Sequence, residues 1–135
     1  GARAAGPRDL PALVGRVRAA GLDVTLDVQG AERPLAPDAA LAAYRLVQEA
    51  LTNTLKHAGP ATARVQVRWG DDALELSITD TGAGGGRGDG ARRGLVGMRE
   101  RMELVGGQLK AGPHRAGGFE VRARVPLARE EVHAA

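Results

Sequence analysis

The chain has 135 residues and a mass of 14.0 kDa, the size of one domain built on one core. With 43% hydrophobic and 26% charged residues it is not a disordered segment, and with no cysteine it has no disulfide, thiolate metal site or thiol nucleophile. The net charge of +3 comes from arginine, since Lys56 and Lys110 are the only lysines, and with only Tyr44, Trp69 and Phe119 as aromatics the sequence lacks the stacking platforms of a nucleic-acid binder.

No apolar run approaches the ~20 residues of a membrane-spanning helix, and the N-terminus lacks the basic-then-apolar order of a signal peptide. Cytoplasm is the expected compartment, and any membrane anchor is expected outside this sequence.

Residues 9–20 carry Leu10, Leu13, Val14 and Val17 at the spacing of a short amphipathic helix, with Asp9 as its cap and Gly21 as its stop. Val24, Leu26 and Val28 then alternate with polar residues as a half-buried strand that closes at Gly30. After a turn rich in proline, a long helix is predicted from Asp38 to Ala58, with Leu41, Tyr44, Val47, Leu51 and Leu55 along its buried side and Gly59-Pro60 as its stop. Val65, Val67 and Trp69, the turn at Asp71-Asp72, and Leu74, Leu76 and Ile78 read as a hairpin.

Beyond Asp80 the glycines at 82, 84, 85, 86, 88 and 90 predict a loop without regular structure. Helical spacing returns at Leu95, Met98, Met102 and Val105, stops at Gly106-Gly107, and gives way to a second hairpin that ends near Leu127. Adjacent strand pairs with interspersed helices imply an α+β fold: a two-layer sandwich with a mixed, mostly antiparallel sheet covered by helices on one face. One domain is expected over 1–135, with a core of about 10–127 and a tail at 128–135.

Three patches carry chemistry. Glu49, Asn53 and His57 follow at four-residue intervals, which stacks their Cβ atoms about 5–6 Å apart on one helix face. A carboxylate, an amide and an imidazole in a row suit water activation, a hard cation and phosphate oxygens, and equally suit a solvated helix surface. Asp80 and Gly82, at the end of a hydrophobic strand, form either an acceptor for an exocyclic amine beside a close-approach glycine or an ordinary turn. Gly94 to Arg101 reads as a glycine-bearing helix start after Arg92 and Arg93, which suits an anion or simply a tight turn.

Their order narrows the choice. YRLVQEALTNTLKHA resembles the N box, DTGAG the first glycine box and GLVGMRERMELVGG the second glycine box of the GHKL, or Bergerat-fold, ATPases. Within that superfamily the wording is similar to sensor histidine kinases of the nitrate-sensor type, over roughly residues 10–127. The resemblance implies ATP and Mg²⁺ as ligands, with Asn53 on the metal and Glu49 orienting or activating the attacking group as the catalytic residue. It implies Lys56 and His57 on the phosphate side, Asp80 accepting from the adenine amine, and Gly82 and Gly84 shaping the base pocket. It also implies residues 85–93 as a lid and Gly94, Leu95, Val96, Gly97 and Met98 near the phosphates.

Three features depart from the pattern. Only one glycine remains where many relatives begin the second box with Gly-x-Gly-Leu, no aromatic follows the first box, and Phe119 stands near a position where many relatives have threonine. None of His57, His114 and His133 resembles the phosphoacceptor, which in such kinases lies on a helical dimerisation hairpin beside an acidic residue. That hairpin is expected elsewhere in a longer protein, as a partner for this domain and through it for a response regulator, so the chain alone is expected to bind ATP and transfer little. The alternatives are an anti-sigma-type serine kinase of the same fold, against which the GMRER wording argues, and a non-catalytic interaction module, against which Glu49, Asn53 and Asp80 argue.

Overall fold

The period-two alternation that marks the strands also decides which of their side chains enter the core. In a computed structural model, which describes residues 5–82 and 88–128 and only the backbone of 88–92, the strands are β1 (Asp23–Gln29), β2 (Thr62–Trp69), β3 (Ala73–Asp80), β4 (Gln108–Pro113) and β5 (Phe119–Pro126). They form one sheet in the order β1-β2-β3-β5-β4, with β1 parallel to β2 and the other pairs antiparallel. The parallel pair needs a long crossover, which the second helix supplies.

Helices α1 (Leu10–Ala19), α2 (Pro37–His57) and α3 (Gly88–Leu104) cover one face. Val65, Leu74, Leu76 and Val125 from the sheet meet Leu10, Leu46, Leu51, Met98 and Met102 from the helices in a single core. The opposite face is polar, and Gln66, Arg68, Glu75, Arg122 and Arg124 line a shallow groove of about 730 Å³ on it. The expected sandwich, with a mixed sheet and one helical layer, is the fold that forms. No helix among the described residues is long and apolar enough to cross a membrane.

Three local expectations need correction. The buried side of α2 is only in part the expected stripe: Val47 and Leu51 are buried and Tyr44 packs against the core, but Ala39, Ala43, Leu46, Ala50 and Thr54 also face inward, Leu41 is half-buried and Leu55 is 40% exposed. α2 is the central helix of the layer and packs against β2, β3, β5, α1 and α3, so its small residues go where neighbours approach most closely. Second, α3 begins at Gly88, so residues 88–93 are helical where a loop was expected. Third, the Asp9 carboxylate turns back to accept from Gly6 N–H at 2.9 Å, bracing a 3-10 turn at Pro7–Asp9, and makes no side-chain cap on α1. The other stops hold: α2 ends at His57 with Ala58 as its C-cap, and Gly59 follows with φ of +67°, the left-handed exit that glycine adopts without strain.

Candidate functional site

The second half of α2 is where the three sequence patches meet. Pro37 at the first helical position and Asp38 in the first turn start this helix, and 21 residues of it carry Glu49, Asn53 and Thr54 to the level at which β3 ends. The three residues point in two directions, because one residue of helix turns the side chain through about 100°.

On the first side, Glu49 and Asn53 face α3. A Cβ built on Gly94 would stand 3.1 Å from Glu49 Oε1 and 3.4 Å from Asn53 Nδ2, so the second glycine box lies directly on the polar face of the N box. A larger residue here would make the Glu49 carboxylate give way by a few tenths of an ångström. The Arg101 guanidinium lies 3.9 Å from the other Glu49 oxygen, a long and half-exposed ion pair that is easily exchanged for another partner.

On the second side, Thr54 Oγ1 lies 3.0 Å from Asp80 Oδ2 and donates to it, with Ala50 O also within reach at 3.1 Å. Asp80 Oδ1 accepts from Gly82 N–H at 3.0 Å, a short turn in which the carboxylate holds its own following backbone. Gly82 is pressed on the end of α2: an added Cβ would collide with Ala58 at its Cβ and carbonyl oxygen. The turn between β4 and β5 closes the far side, where Gly118, with φ of +86°, packs so tightly that an added Cβ would run into the Asp80 carbonyl oxygen. Thr81 Oγ1 accepts from Thr62 N–H at 2.9 Å and fastens the chain as it leaves β3.

The remaining residues singled out in the sequence are placed less uniformly. Lys56 is exposed and His57 half-buried at the end of α2. Val96 is 56% exposed, Leu95 and Gly97 are partly covered, and Met98 is buried at 2% among the core residues. Because α3 starts at Gly88, Gly94 to Met98 lie inside the helix and not at its first turn, so their backbone N–H groups serve the helical ladder. What brings Gly94 to the polar face is therefore its missing side chain, not a helix terminus. Gly84 and residues 85–87 lie outside the described residues, as do 129–135 of the tail.

Thr54 and Gly118 were not singled out in the sequence, and Arg101 and Ala58 entered only as the ends of the third patch and of the long helix. Thr54 carried a usable signal: it falls four residues after Ala50 on the inward side of α2, where a hydroxyl needs a partner.

The structure thus brings together a polar helix face, a glycine of a second helix and an aspartate at a strand end. The family model for histidine kinase-, DNA gyrase B- and HSP90-like ATPases matches residues 38–129. The chain belongs to this ATPase family. It is 35% identical over 108 residues to the sensor histidine kinase YxjM of Bacillus subtilis, covering 79% of this chain and 26% of that protein. To the oxygen sensor histidine kinase NreB of Staphylococcus carnosus it is 38% identical over 87 residues, covering 62% and 25%. The chain thus spans about a quarter of the length of these curated relatives. Among solved structures, the blue-light activated histidine kinase of Erythrobacter litoralis superposes with a TM-score of 0.67 at 21% identity, over 90% of this chain and 42% of that one, which establishes the common fold.

Proposed function

We propose that this chain is the ATP-binding catalytic domain of a cytoplasmic two-component sensor histidine kinase, which donates the γ-phosphate of ATP to a histidine on a separate helical dimerisation domain. In this reading 1–135 is one domain with its working core at about 10–127, and the response regulator is met only through the phosphorylated histidine. The observation that carries it is the seating of Gly94 over Glu49 and Asn53, with Asp80 tied to the same helix through Thr54.

Adenine sits at Asp80, where the carboxylate accepts from the exocyclic amine and Gly82 and Gly84 leave space for the ring. The phosphates lie toward Glu49, Asn53, Lys56 and His57, with Gly94 on their other side. The donor set suits magnesium, since Asn53 and Glu49 offer hard oxygens one helical turn apart and this ion keeps most of its shell as water and phosphate oxygen. When bound, the ion offsets charge on the phosphates. Glu49 orients or activates the attacking group from the same helix face.

Isothermal titration with ATP, with and without Mg²⁺ and with GTP as control, tests the reading. Binding that prefers ATP and requires Mg²⁺ supports it. Binding of neither nucleotide removes it and leaves a non-catalytic module of this fold.

A further inference from the structure

Among the described residues, Thr54 and Asp80 are the buried polar side chains, at 2% and 6% exposure, and they are bonded to each other. A buried carboxylate is costly unless donors meet it. Two that meet Asp80 have different consequences. The bond from Gly82 N–H to Oδ1 comes from two residues along the same chain and follows the carboxylate wherever β3 puts it. The bond from the Thr54 hydroxyl to Oδ2 comes from another element 26 residues away, and it alone of the two refers the carboxylate to α2, the helix that carries Glu49 and Asn53.

We infer that Thr54 is a positioning residue of the base pocket: its hydroxyl fixes the plane of the Asp80 carboxylate so that the site reads the exocyclic amine of adenine. The inference rests on the reading of Asp80 as the base acceptor given above. A hydroxyl has one proton, and the anionic Oδ2 is a stronger acceptor than the Ala50 carbonyl, so the proton goes to Asp80. Two donors on two different oxygens set both the tilt and the rotation of a group that offers about four lone-pair sites. The same hydroxyl ties the base end of the site to the phosphate end, because Asn53 is its neighbour in sequence on α2. A threonine that served only the helix would bond Ala50 and be indifferent to the nucleotide.

The test is titration of this chain and its variants with ATP and with purine riboside triphosphate, which is ATP without the 6-amino group. Wild type is expected to bind ATP about tenfold more tightly than the analogue, as a site built to bond a polar group discriminates against its loss. Thr54→Val keeps the shape and deletes the donor, and its ATP affinity is expected to fall about tenfold while its affinity for the analogue hardly moves. Thr54→Ser restores the hydroxyl and the preference. Should the valine variant not fold, Thr54→Ala serves for the same comparison, alanine being the best helix former. A folded valine or alanine variant that keeps the wild-type ratio overturns the role of Thr54 and leaves ATP binding intact. Wild type that binds neither nucleotide instead overturns the nucleotide reading itself, and this inference with it.

Discussion

Replacing Gly94 by alanine should move stability and nucleotide binding in opposite directions. Gly94 lies inside α3, where alanine is favoured over glycine by roughly 1 kcal/mol. Against this, the new methyl stands 3.1 Å from Glu49 Oε1 and 3.4 Å from Asn53 Nδ2, closer than a carbon rests comfortably. The Glu49 side chain is 41% exposed, and among the described residues what it gives up in turning away is a 3.9 Å contact with Arg101, of the exposed kind worth ~0–1 kcal/mol. The helix term wins or draws, so the melting temperature should hold or rise by up to about 4 °C. Binding goes the other way, because displacing a positioned carboxylate and amide by a fraction of an ångström should weaken Mg-ATP about tenfold. Thermal melting and titration on the same sample read both. A fall in melting temperature of several degrees would show that Gly94 is not in a helix packed on α2, and unchanged Mg-ATP affinity would separate Gly94 from the site.

Two further substitutions act on other parts of the site. Gly118→Ala combines a positive φ of +86° with a collision at the Asp80 carbonyl oxygen, and should cost about 2 kcal/mol or more in urea denaturation; a midpoint within error of wild type would mean that the turn does not press on β3. Asn53→Ala should leave the fold unchanged by circular dichroism and chiefly remove the Mg²⁺ dependence of ATP binding; dependence that survives would detach Asn53 from the metal.

What the sequence made legible was what depends on short-range pattern. β2 and β5 alternate, and β3 does so from Leu74 onward, so their inward sets, such as Val65, Leu76 and Val121, could be read directly. The parallel pairing of β1 with β2 could not, because alternation identifies a strand without naming its neighbour. On α2 the large residues drew attention to Leu41 and Leu55, whereas close packing at the centre of the layer selects Ala39, Ala43 and Ala50. The start of α3 was hidden by Gly88 and Gly90, whose composition argues for a loop while tertiary contact with α2 holds a helix. The site was legible as three separate boxes. That Gly94 lies over Glu49, that Gly82 abuts Ala58, and that Thr54 reaches Asp80 are facts of packing between distant segments, and no spacing within the chain encodes them.

The most direct test of the histidine-kinase reading is to mix this chain with a helical dimerisation domain that carries an acceptor histidine, supply γ-labelled ATP and Mg²⁺, and follow the chemical stability of the label acquired. Phosphohistidine is lost in acid and survives alkali, whereas phosphoserine does the reverse. An acid-labile, alkali-stable label that disappears with Asn53→Ala is expected, and an acid-stable label, or none with both partners folded, would rule out transfer to histidine.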